Sequence, residues 1–143
     1  MRQYGPSSTR SGAIDRNPTT VVNGGGPGGP FAGGTNNLLA TYTVPGARRA
    51  LVAIAQGFAA VAVALAAGQT AVIDVLITPS GGAQTLVAQD FIQGGAVAGT
   101  RVAVAALAVT IKAGDLIEVR MVVTAGAGTV NAGGGLAATE YDA

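Results

Sequence analysis

The sequence predicts an all-β protein: an antiparallel eight-stranded β-sandwich, for which a jelly roll is the best-suited arrangement, preceded by an extended Gly/Pro-rich arm. Three observations predict it. From residue 37 onward, apolar residues alternate with a period of two in runs of about eight to twelve residues. Turn signals separate these runs at short, regular intervals, which is the spacing of a sandwich or barrel. Before residue 37 the texture differs: nine of the 23 glycines and four of the six prolines lie there.

The arm is expected over residues 1–36. Ser, Thr, Asn, Gly and Pro dominate it, and no hydrophobic period of 2 or 3.6 is visible. Pro and Gly at that density exclude a helix and a central strand. Tyr4, Ile14, Val21, Val22 and Phe31 stand out as apolar anchors, and we expect them to bind a partner surface whose contours the glycines follow. A folded domain is expected over 37–143.

Each strand then has its own signal. "NLLATYTV" is rich in β-formers and stops at Pro45-Gly46. "ARRALVAIAQ" places Leu51, Ala53 and Ala55 on one face and Val52 and Ile54 on the other, which predicts burial on both sides. "FAAVAVALAA" is ambiguous between helix, favoured by its alanines, and strand, favoured by Val61, Val63 and Leu65 in alternation. It is assigned as a separate strand, bounded by Gly57 and Gly68. "QTAVIDVLIT" and "AQTLVAQDFIQ" form a hairpin across a four-residue "PSGG" turn. "TRVAVAALAVTI" alternates again and ends at the "KAGD" turn. In "DLIEVRMVVT", Ile117, Val119, Met121 and Val123 face one way, with Leu116, Glu118, Arg120 and Val122 opposite. "TVNAGGGLAATEY" closes the chain. These make eight strands.

The composition bounds the function. The chain has 143 residues, which suits one domain. Only 10% are charged, against roughly 25% in an average domain, so much of the surface is expected to be shared with partners. The net charge of +1 gives no electrostatic case for nucleic acid or membrane binding. Residues 1–36 carry a net +2 and residues 37–143 a net −1. No cysteine is present, so there is no disulfide framework. The first twenty residues contain no apolar run of the signal-peptide kind. The uncharged stretch 50–73 is too Ala-rich, and too interrupted by Gln56 and Gly57, for a membrane span.

Catalytic chemistry has little to stand on. Histidine and cysteine are absent, which removes the commonest general base, the thiolate nucleophile and the usual transition-metal ligands. Asp74, Asp90, Asp115 and Glu118 are scattered and read as surface or edge solvation. We expect no enzyme, no cofactor and no metal. Residues 24–29 contain the letters of G-x-G-x-x-G but lack the flanking strand and helix a dinucleotide site needs. Arg48 and Arg49 are adjacent in a strand and point to opposite faces, so one is free to reach a partner. Glu118 and Arg120 share a strand face, open to a cross-strand charge ladder or to pairing across a subunit boundary. These four are the candidate intersubunit contacts.

Three stretches carry a resemblance. "ATYTVPGARRALV" resembles the opening strand and turn of trimeric jelly rolls of the tumour-necrosis-factor/C1q type. "IKAGDLIEVRMVVTAGAG" resembles their late strand, and "GGGLAATEY" their glycine-rich closing strand. The resemblance covers roughly residues 38–141. Phage decoration (cement) proteins, head spikes and fibre tips use similar folds. The resemblance implies a homotrimeric structural protein of a bacteriophage virion, a decoration protein on the capsid surface, assembled in the host cytoplasm. Its partners would be the major capsid protein or copies of itself. The alternative is a fibre or spike tip that binds a receptor or carbohydrate.

Overall fold

The computed structural model describes residues 19–142, with backbone alone over 22–27 and 107–108. Eight strands run in chain order: β1 Thr19–Phe31, β2 Thr35–Thr43, β3 Arg48–Val63, β4 Ala71–Thr78, β5 Thr85–Ile92, β6 Arg101–Lys112, β7 Leu116–Val123 and β8 Thr129–Asp142. They form two four-stranded sheets, ordered β1-β8-β3-β6 and β2-β7-β4-β5, with every neighbouring pair antiparallel. This is the jelly-roll order: each connection except the β4–β5 hairpin crosses from one sheet to the other.

The count of eight is as expected, but it is composed differently. Residues 19–31, expected in the arm, form β1 and pair with β8 from Thr19↔Glu140 to Phe31↔Val130. The expected boundary between 36 and 37 falls inside β2. The reason is positional: β1 is an edge strand, and its register shifts fall between Gly25 and Gly28 and between Gly28 and Phe31, where Pro27 and Pro30 sit. A proline that cannot donate to a ladder is tolerated at such an edge irregularity. Conversely, the two segments expected on either side of Gly57 are one continuous strand, β3.

Gly57 does not end a strand; its backbone rests directly on side chains of the facing sheet. A Cβ there would lie 2.7 Å from Ile73 Cγ2 and 2.9 Å from Val119 Cγ1. Its β8 partner Gly134 has the same constraint, with Leu39 Cβ at 2.9 Å and Val119 Cγ1 at 3.0 Å. Two facing glycines let the backbone of one sheet rest on side chains of the other. The core around them comes from alternate strand positions, including Val52, Ile73, Val75, Val130 and the expected set Ile117, Val119, Met121 and Val123.

Each end of the sandwich is tied by one buried polar side chain. At one end Gln69 forms four bonds. Its Oε1 accepts from Ala66 N and Gly128 N, both at 3.0 Å, and its Nε2 donates to Gly128 O at 2.9 Å and Thr124 O at 3.2 Å. This joins the β3–β4 and β7–β8 loops and leaves none of the amide's bonding capacity unused. At the other end Asp115 accepts from Ser80 N at 2.9 Å and Lys112 N at 3.0 Å, joining the β4–β5 and β6–β7 turns. Asp115 was expected to be a solvated surface carboxylate; it is 6% exposed and organises the turns. The hairpin loop it braces spans residues 79–84, longer than the "PSGG" turn alone.

Candidate assembly surface

The bare side of β3 defines the site. The sequence pattern predicts burial on both faces of residues 47–56, and the structure buries one. Ala50 and Val52 point into the core, a register shift lies between Val52 and Ile54, and beyond it Ala55, Ala59 and Val61 continue inward. Leu51 and Phe58 point out, 41% and 47% exposed. Apolar residues lie on both sides of β3, yet the described residues supply a cover for only one.

The neighbouring strand extends the patch. Arg101, Ala103 and Ala105 of β6 lie opposite Ala60, Phe58 and Gln56 on the same outer face, and all three are exposed. Beyond the end of β6, the β5–β6 loop runs beside β3 through Gly99 N to Val61 O and Leu65 N to Ala96 O, both backbone bonds of 2.8–2.9 Å. It carries Val97, 67% exposed. Arg101 lines two shallow depressions here, one with Phe91 and Val97, the other with Phe58 and Ala103.

A second apolar area lies on the other sheet. Phe91 and Gln89 of β5 are paired with Val72 and Asp74 of β4 on its outer face, and Leu86, Val87 and Phe91 are all exposed. Exposed apolar residues scattered singly are ordinary; clustered ones rimmed by polar groups mark interaction sites.

Charge is divided between the two surfaces. Among the described residues, Arg49, Arg101 and Lys112 form no ion pair, and all lie on β3 or β6. Asp74 and Asp90 form none either; Asp74 lies on the outer face of β4, and Asp90 on the inward side of the edge strand β5, opposite Ile73. Asp74 Oδ1 accepts from Gln89 Nε2 at 2.6 Å, and Asp90 Oδ1 from its neighbour Phe91 N at 2.8 Å. Arg120 stands opposite Asp74 in the β4–β7 register but directs its guanidinium to Glu118 at 2.9 Å and Asn36 at 3.1 Å.

The other expected contact residues fall as follows. Arg48 pairs with Asp142 at 2.9 Å and Glu140 at 3.4 Å, next to the buried Tyr42, whose hydroxyl donates to Glu140. Burial, that hydrogen bond and the Glu140 charge push the Tyr42 phenol well above its usual range, with Arg48 opposing. Arg49 is exposed on the opposite face, as alternation requires. Glu118 and Arg120 pair along one strand, and Gln84 donates to Glu118 at 3.1 Å, so this pair is engaged within the chain. Val21 and Phe31, expected to anchor onto a partner, pack partly against this chain's own core. Val22 lies in β1 opposite Ala137, and Tyr4 and Ile14 fall outside the described residues. The G-x-G-x-x-G letters at 24–29 sit inside β1, with no helix after them.

No protein-family model and no curated protein matches the chain. Among solved structures, it is similar to a chain in the structure of infectious bursal disease virus, Gx strain. The identity is 16% and the TM-score 0.43, over 87% of this chain and 33% of that one. A chain from the Gt strain is similar at 15% identity and a TM-score of 0.38, over 89% of this chain and 35% of that one. This chain thus spans about a third of the length of either, and at these scores neither likeness carries a functional inference.

Proposed function

We propose that the chain is a structural subunit of a virion, a decoration protein that binds a capsid surface and associates with copies of itself as a trimer. The observation that carries this reading is the outer face of β3 and β6: a central strand that is apolar on both sides and covered on one by the described residues. Burying apolar area is the main favourable term in protein association, at about 25 cal/mol per Å2. A chain with 10% charged residues has little else to hold such a face in water. The two end ties and the facing glycines give a rigid block suited to repeated packing. A jelly roll hosts many activities, so the fold is analogy here and the bare face is the argument.

The test is a protein census of virus particles purified from the source. Quantitative mass spectrometry should find this chain at a copy number comparable with the major shell protein. Its absence from intact, infectious particles would overturn the reading.

A further inference from the structure

We infer that the outer face of β3 and β6 binds the β4–β5 face of a second copy of this chain, head to tail, so that copies close into a ring around their β5–β6 sides. This rests on the reading of the chain as an assembly subunit and names the surfaces it uses.

Three observations carry it. Among the described residues, bare apolar surface lies on both sheets and meets at the β5–β6 edge, where Arg101 and Phe91 line one depression; each sheet carries an exposed phenylalanine, Phe58 on the first and Phe91 on the second. The areas differ in charge: the outer face of β3 and β6 carries Arg49, Arg101 and Lys112 without an ion pair, whereas the outer face of β4 and β5 carries one carboxylate without an ion pair, Asp74. Packing the first face on itself would bring Arg49, Arg101 and Lys112 of two copies together with no carboxylate on that face to offset them. Packing it on the second face sets Arg101 toward Asp74. Like charges juxtaposed across an interface are strongly disfavoured, whereas opposite ones fix its register.

The third observation is position. β6 and β5 are edge strands of their sheets, and both lie on the same side of the sandwich, joined by the 93–100 loop. The two areas therefore flank one side of the block, as the two faces of a wedge flank its edge. A head-to-tail contact between such faces is heterologous, and it gives a closed ring where the rotation from copy to copy divides a full turn, an open filament where it does not.

The experiment is native mass against concentration, by light scattering during size exclusion, for the full chain and three variants: Arg101→Glu, Asp74→Lys and the two combined. Both residues are at the surface, and thermal midpoints confirm that each variant folds. Each single reversal should weaken association by about tenfold or more, and the double variant should recover much of that loss. Stronger association of Arg101→Glu would mean that the face packs on its own copy, and would overturn the head-to-tail geometry. Unchanged association in all three would assign the face to another occupant, such as residues 1–18 or a different protein. A monomeric wild type would overturn the ring. All of these leave the particle census free to stand or fall separately.

Discussion

Asp115 shows how much a single side chain organises. Its carboxylate receives two backbone N–H groups from two different turns, Lys112 and Ser80, and these bonds hold its pKa below the usual range of an aspartate. A carboxyl group whose pKa is lower in the folded chain stabilises the fold above its unfolded value. That stabilisation is lost as the pH falls through the folded value. The wild type should therefore lose this contribution below about pH 4. Asn in its place keeps one acceptor but turns an amide donor toward a backbone donor. Asp115→Asn should cost about 1–2 kcal/mol at pH 7, with a flatter acid limb, in urea melts run from pH 7 to pH 3. Equal stability of the two proteins at pH 7 would contradict this account. "KAGD" was legible as a turn, but the burial of its aspartate was not, because Ser80 lies 35 residues away in the chain. Gln69 was illegible for the same reason: its partners Thr124 and Gly128 belong to a loop that only the folded topology brings near.

At the scale of elements, local alternation makes β4, β6 and β7 readable, and the two faces of β7 divide as the sequence divides them, with Ile117, Val119, Met121 and Val123 turned to the core. Two errors share a cause. Gly57 was read as a break and the glycines of 24–29 as an arm, because propensity treats glycine as unfavourable in a strand. Sheet contact overrides propensity at Gly57, where a methyl group has no room, and an edge position tolerates the irregular backbone of β1. Gly57→Ala should then destabilise the fold despite the higher strand propensity of alanine. Overpacking of this kind costs about 1–3 kcal/mol, readable as a lower denaturation midpoint. An unchanged or higher midpoint would show that the sheets have slack at this point. The register shift after Val52 explains why the faces of β3 were misassigned, since one irregularity inverts every position beyond it.

For the whole molecule, the scarcity of charge was the most informative sequence feature, and the structure localises it. The bare areas lie on β3, β6 and β5, while the polar network of Glu118, Arg120, Asn36 and Gln84 occupies the outer side of β7 and its neighbours. The four candidate intersubunit contacts read from sequence are charged, and three of them, Arg48, Glu118 and Arg120, form ion pairs within the chain. The apolar partners Leu51, Phe58 and Phe91 were in plain view, but sequence alternation alone does not say which face a second sheet covers. The most direct test of the assembly claim is the native mass of the full-length protein, by light scattering during size exclusion. A mass three times the 13.8 kDa of the chain is the result expected. A mass of one chain at every concentration would contradict it, since the face on β3 and β6 would then remain in water without a copy to cover it.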